Sequence, residues 1–402
     1  MVVGKKTGTL LFLIITLFIT AHQQIKGQEI RASEGSIPDT TVVVESATPV
    51  RIKKSIVGLK GADGPYIIGD KMYTVNSQDE LVITDQYNLD SLIVVADNKY
   101  SDEFYVTLKS NHQVQKSVFA MPGKLVAISD IEGNYNAFTG FLKANNIIDN
   151  NHNWIFEDAH LVLLGDFVDR GKNVTQVLWL IYKMEQQAEL AGGKVHFILG
   201  NHEVLNFQGD YRYNRVKYVE IALQISGEAD LRKAVRYIYS NRSELGKWLR
   251  TKNVIEKIGG YLFVHAGLST ELLEHDLRLG DINGTVRTYF DQDVYSEPLE
   301  DRVAQFLYGS KGPFWYRGLA VDHEKYRKVG QDQLETILNF YDARKIVIGH
   351  TLVPDIISDY KRKVVFIDVS HGKKKNSVKT KGLLIENGME YKIDALGNKS
   401  RL

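Results

Sequence analysis

The chain of 402 residues is 44% hydrophobic and 25% charged, with 10% aromatics, which excludes a disordered, collagenous or low-complexity polymer. Fifty basic residues against 49 acidic ones leave a formal charge of +1, so no broad cationic surface exists and nucleic acid is not an expected partner. With no cysteine, the chain can form no disulfide, no thiolate metal site and no cysteine nucleophile.

The first predicted element is a targeting segment. Lys5 and Lys6 precede an apolar run from Leu10 to Ala21, too short to cross a bilayer and of the length of a secretory signal core. Removal of residues 1–27 takes away three lysines and no acid, moving the formal charge from +1 to −2. The expectation is an exported protein, periplasmic or secreted, with no membrane span in its mature chain.

Residues 28–120 read as a small all-β domain. Runs rich in β-branched and aromatic residues at 41–44, 66–68, 71–75, 81–84, 91–96 and 103–108 alternate with turn chemistry such as GADGP (61–65) and NSQDE (76–80). No motif in this part identifies a partner. Met121-Pro122-Gly123 marks the predicted junction, and residues 121–402 form the second domain.

After Gly123 the pattern becomes strand, loop, helix. LVAIS (125–129), HLVLL (160–164), KVHFIL (194–199), YLFV (261–264), KIVI (345–348) and VVFIDV (364–369) are continuous apolar runs, as expected of strands covered on both faces. Helices are predicted around Tyr135 to Asn145 and Asn173 to Leu190, and residues 204–253 form a helical insertion. The fold class is therefore α/β.

Five of these strands run into residues able to bind a metal: Asp130, Asp166, Asn201, His265 and His350. Ligands at the carboxyl ends of neighbouring strands converge on one crevice. Oxygen and imidazole without sulfur suit Zn, Mn, Fe or Ni.

The motifs GDFVDRG (165–171), GNHE (200–203), HAG (265–267) and GHT (349–351), in this order, resemble those of the calcineurin-like metallophosphoesterases. VLNFQGDYRY (204–213), ELGKWLR (244–250) and GPFWYRG (312–318) are similar to segments of the Shewanella-like protein phosphatases. The resemblance implies a sandwich of two mixed β-sheets flanked by helices, preceded here by the small all-β domain. It implies two divalent metal ions (Mn, Fe or Zn) about 3.5–4 Å apart, bridged by Asp166. Asn201, His265 and His350 would hold the second ion with Asp166, and Asp130, Asp166 and the residue two after Asp130 the first. That last position is normally histidine and here is Glu132. Glu132 reads either as a ligand, which is preferred, or as the mark of a degenerate site.

On the same resemblance, a metal-bridging hydroxide attacks a phosphate monoester. Arg170 and Arg317 are the candidates to fork onto the phosphoryl oxygens, and His202, oriented by Asp169, to protonate the leaving oxygen. His371, Tyr211 and Arg212 are candidate substrate contacts. The expected substrate is a phosphoprotein (Ser/Thr or Tyr) or a small phosphate ester. A nucleotide or diester hydrolase on the same scaffold, and a phosphate- or phosphopeptide-binding module with little turnover, are the alternatives.

Overall fold

The computed structural model describes residues 51–54, 58–97 and 102–402, all in one compact unit. The predicted signal and the β run at 41–44 lie outside the described residues. Strands β1 (Arg51–Lys54), β2 (Asp63–Ile68), β3 (Lys71–Val75) and β4 (Glu80–Thr84) make an antiparallel sheet in the order β1-β4-β3-β2. β5 (Leu92–Asp97) and β6 (Asp102–Val106) pair antiparallel.

β7 (Val118–Phe119) and β8 (Lys124–Ile128) follow, then α1 (Tyr135–Ala144), β9 (His160–Leu164), α2 (Val174–Leu190), β10 (Lys194–Ile198) and α3 (Asn201–Phe207). The predicted insertion holds α4 (Val216–Ser226), α5 (Leu231–Ile238) and α6 (Glu244–Leu249). Next come β11 (Ile255–Ile258) and β12 (Tyr261–Val264). Further helices lead to β13 (Lys345–Ile348), β14 (Ile357–Asp359), β15 (Val364–Phe366), β16 (Lys381–Glu386), β17 (Met389–Asp394) and β18 (Lys399–Arg401).

These strands build two mixed six-stranded sheets, β10-β9-β8-β16-β17-β18 and β14-β15-β13-β12-β11-β7. Side chains alternate across each strand, so one apolar run serves two cores. Leu125, Ala127, Val162 and Leu164 face Phe263, Val347 and Val365 of the opposite sheet, and Val126, Ile128, Leu161 and Leu163 belong to the core that includes Phe138 and Phe141 of α1 and Trp179 of α2. β8, β9 and β10 are parallel, as are β12, β13 and β15. Their carboxyl ends therefore share one edge of the sandwich, and the site is built there.

One face of the early sheet packs on the helical insertion, while Ile67 of β2 points into the main core. Tyr66, Ile68, Val75, Leu81 and Ile83 pack with Ile221 and Ile225 of α4 and Val235 and Ile238 of α5. Behind them Asp63 and Lys217 form a buried ion pair, and Trp179 Nε1 of α2 donates to the Pro65 carbonyl at 2.8 Å. The β-rich segment thus braces the helical insertion, which in turn borders the site.

Candidate active site

The loops after the parallel strands leave them through unusual backbone. Asp130, Glu132, Asp166, Asp169, Arg170 and His350 all have φ between 50° and 68°. For non-glycine residues this left-handed conformation costs free energy, and six such residues gather in these loops. Glycine is required where two loops touch: a Cβ on Gly200 would lie 2.2 Å from Asp166 Oδ1.

Glu203 ties these loops together. Fully buried, its carboxylate accepts from the amides of Asp166 (2.9 Å), Phe167 (2.8 Å) and Gly200 (2.8 Å), which fixes the GDFVD loop against the start of α3. Burial, and then the Asp166 charge, push its pKa up to about 7. Sequence reasoning gave Glu203 no role, because a backbone clamp has no spacing signature.

Asp166, His265 and His350 are buried, with ligand atoms within 4.8 Å of one another. His265 Nδ1 donates to the Leu164 carbonyl at 2.8 Å, which leaves Nε2 facing Asp166 Oδ2 (3.2 Å) and Asn201 Oδ1 (3.0 Å). Burial would lower the ring's pKa, but Asp166 and then Asp130 raise it to about 10, so Nε2 carries a proton that a divalent ion would displace. His350 Nε2 is buried without a hydrogen-bond partner. Burial, then the neighbouring His265 and Arg317, hold the His350 pKa well below its ordinary value, so the ring is a neutral donor. Burial alone would raise Asp166, but His265 and His202 hold it below the usual carboxylate range. An ionised carboxylate, an amide oxygen and two imidazole nitrogens, one of them orphaned, fit a divalent ion.

Asp130 stands across from this cluster, its Oδ2 accepting from the His350 amide at 3.1 Å. Burial pushes its pKa up to about 6; His265 opposes the shift and Asp166 adds to it. Glu132 lines the same cleft and forms an ion pair with the Arg170 guanidinium. A further carboxylate, Asp368, lines the same cleft at 6% exposure. Burial and then repulsion from Asp130 push it up to about 8. The sequence signal for Asp368 was present in FIDVS, another apolar strand running into an aspartate.

His202 Nδ1 donates to Asp169 Oδ2 at 2.6 Å, and its ring lies 4.7 Å from that of Tyr213. Asp169 Oδ1 accepts from Asn206 (3.0 Å) and Asn214 (2.6 Å). Burial acts to lower the His202 pKa, yet the Asp166 and Asp169 carboxylates prevail and the net shift is upward.

Asp130, Asp166, Asn201, His202, His350 and Asp368 line an open cleft of about 820 Å³, with His265 and Asp169 behind them. Arg170 lies over the Tyr213 ring at 5.3 Å, and Arg317 Nη1 is anchored on the His350 carbonyl (2.7 Å) and Thr351 Oγ1 (3.1 Å). His371 also lines the cleft; its Nε2 donates to the Ser129 carbonyl at 2.8 Å, its Nδ1 is buried and unpartnered, and burial lowers its pKa to about 4. Tyr211 packs against the core of the early sheet, and Arg212 is held by Asp210 through contacts of 2.6–2.9 Å. The cleft wall is formed instead by Tyr213 and Arg215.

Residues 123–354 match the family described as calcineurin-like phosphoesterase. The chain is 30% identical over 232 residues to Shewanella-like protein phosphatase 1 of Plasmodium berghei, covering 58% of this chain and 62% of the relative's length. It is 26% identical over 283 residues to Shewanella-like protein phosphatase 2 of Arabidopsis thaliana, covering 60% of this chain and 70% of that relative. The solved cold-active protein-tyrosine phosphatase of a psychrophilic Shewanella species superposes with a TM-score of 0.74 at 32% identity, covering 85% of this chain and 99% of that one. That share exceeds what residues 121–402 alone could supply, so the likeness extends into the early β-strands.

Proposed function

The chain belongs to the calcineurin-like phosphoesterase family, and from that premise we propose that it is an exported, two-metal phosphatase acting on phosphate monoesters, with phosphotyrosine in proteins as its preferred substrate. The observation that carries the reading is the placement of Asp166, His265 and His350 beside the His202–Asp169 pair in one cleft. The Shewanella relative's description as a protein-tyrosine phosphatase, and the exposed ring of Tyr213 beside His202, support the aryl preference.

Divalent ions held by Asp130, Asp166, Asn201, His265 and His350 would, when bound, supply positive charge to the phosphoryl oxygens and to the attacking water. Arg317 is braced by the His350 carbonyl and Thr351, which leaves the rest of its guanidinium free for an equatorial phosphoryl oxygen. Arg170 lines the same cleft. His202 holds its proton to higher pH than an ordinary histidine, because the Asp166 and Asp169 carboxylates outweigh burial. Its Nδ1–H is committed to Asp169, so Nε2–H is the proton given to the leaving oxygen. Tyr213 can flank an aromatic leaving group next to that proton. Export rests on Lys5, Lys6 and the apolar run that follows them. Phosphate release from phosphotyrosine, phosphoserine and nucleotide substrates by purified protein tests the substrate class. Faster turnover of nucleotides than of either phosphopeptide would overturn it.

A further inference from the structure

Charges of both signs line the cleft, and burial and pairing separate them. Among its carboxylates, Asp166 and Asp368 are at most 6% exposed, Asp130 accepts from the His350 amide, and Glu132 is paired with Arg170. Lys172, Arg215 and Lys373 line the same cleft and are exposed. None of the three forms an ion pair with a carboxylate among the described residues. Their sequence neighbours behave differently. Arg212, three residues before Arg215, turns to Asp210 at 2.6 Å, and Lys375, two after Lys373, pairs with Asp102 at 2.8 Å. Neither of those neutralised cations lines the cleft.

The backbone beneath the unpaired cations is tied down. The Arg170 amide donates to the Tyr213 carbonyl at 3.0 Å, and Tyr218 Oη of α4 donates to the Lys172 carbonyl at 2.8 Å. Arg215 Nε donates to the Arg170 carbonyl at 2.7 Å, while its Nη groups meet no acceptor among the described residues. The loop of Lys373 is held next to α1, where Asn134 Nδ2 donates to the Gly372 carbonyl at 2.9 Å and the Gly372 amide donates to Thr380 Oγ1 at 3.1 Å. Exposed cations fixed around a cleft attract anionic groups and speed their arrival.

Resting on the phosphotyrosine reading, we propose that Lys172, Arg215 and Lys373 receive acidic side chains that flank the phosphotyrosine, so that the cleft selects phosphoproteins modified within an acidic stretch. The three cations come from separate loops, after β9, after α3 and after β15. That arrangement suits carboxylates spaced along a peptide better than the contiguous charges of a polyphosphate.

The test is kcat/KM, with Mn²⁺ present, on two phosphotyrosine peptides that differ only in carrying Asp and Glu, or Asn and Gln, beside the phosphotyrosine. Wild type should prefer the acidic peptide by about 10-fold at low salt, chiefly through KM. The ratio should approach one in about 1 M NaCl, where the screening length is about 3 Å. Joint Lys172→Glu, Arg215→Glu and Lys373→Glu should bring the ratio to one or below, and the corresponding glutamine triple should move it the same way if the reversed chain does not fold. Lys233→Glu, at an exposed position of α5 outside the cleft, should keep the wild-type ratio. Equal turnover of the two peptides by wild type, or a preference that survives salt and charge reversal, would overturn the proposal and leave the phosphotyrosine reading standing. Faster turnover of ATP than of the acidic peptide would overturn both, as would no release from either peptide.

Discussion

His202 Nδ1 and Asp169 Oδ2 lie 2.6 Å apart with both side chains at most 3% exposed, so a buried carboxylate fixes the orientation of the imidazole. Asp169 is itself held by Asn206 and Asn214, so the ring is bonded to a carboxylate that cannot readily move. Asp169→Asn should therefore lower kcat by roughly 10²–10⁴ on an alkyl phosphate and less on an activated aryl phosphate, whose leaving oxygen needs little protonation. Equal losses on the two substrates would argue against His202 as the acid.

The same pair sets a pH dependence. A raised His202 pKa keeps the acid form to higher pH, and the basic limb of the kcat/KM profile should lie above that of an ordinary histidine. Its contribution to stability has the same sign: present in full below the unfolded value of about 6.5 and lost as pH rises through the folded one. Asp169→Asn removes one of the charges that raise it, so the basic limb should move to lower pH. A limb that stays in place assigns the ionisation to another group.

Asp166 touches both histidine sides of the site, at 3.2 Å from His265 Nε2 and 3.7 Å from His202 Nε2. Asp166→Asn should lose metal stoichiometry and activity together while near-native circular dichroism persists, because the strands beneath it are apolar and fully buried. Metal analysis that found an unchanged metal content with normal turnover would refute the ligand assignment.

Arg317→Lys should not rescue Arg317→Ala. Only a planar fork can bond the His350 carbonyl and Thr351 while still meeting a phosphoryl oxygen. Loss of one such donor costs roughly 10²–10³ in rate. Steady-state kinetics in which lysine restored most of the activity would reduce Arg317 to a diffuse charge.

The Asp63–Lys217 pair joins the early sheet to α4 with side-chain exposures of 0% and 6%. Lys217→Met leaves Asp63 charged and buried, and denaturant unfolding should show a loss of about 3–5 kcal/mol. Adding Asp63→Asn should recover part of it. A loss below about 1 kcal/mol would mean that water reaches the pair.

The catalytic frame was legible because it is periodic: apolar strand, then a polar residue, repeated along the chain. Asp130, Asp166, Asn201, His265 and His350 all fall where that pattern puts them, at the carboxyl ends of β8, β9, β10, β12 and β13. Asp368 carries the same signal at the end of β15 and stood outside the site only because no motif surrounds it. Contacts set by loop geometry were not readable. Arg212 turns back onto Asp210 and Tyr211 into the sheet core, which leaves Tyr213 and Arg215 on the cleft, and nothing in DYRYNR dictates which side chain faces inward. β7 pairs with β11 through two residues, too few to show any alternation.

An exported chain should begin near Gln28 in native material. N-terminal sequencing that found Met1 on a cytosolic form would contradict export.

The central claim is that this cleft hydrolyses aryl phosphate monoesters with divalent ions. Phosphate release from a phosphotyrosine peptide, measured on chelator-treated protein before and after Mn²⁺ is restored, tests it most directly. The expected result is no release without metal, recovery on its return, and none in Asp166→Asn under either condition. Release that continues in the chelated protein, or none with Mn²⁺, Fe²⁺ or Zn²⁺ restored, would contradict it.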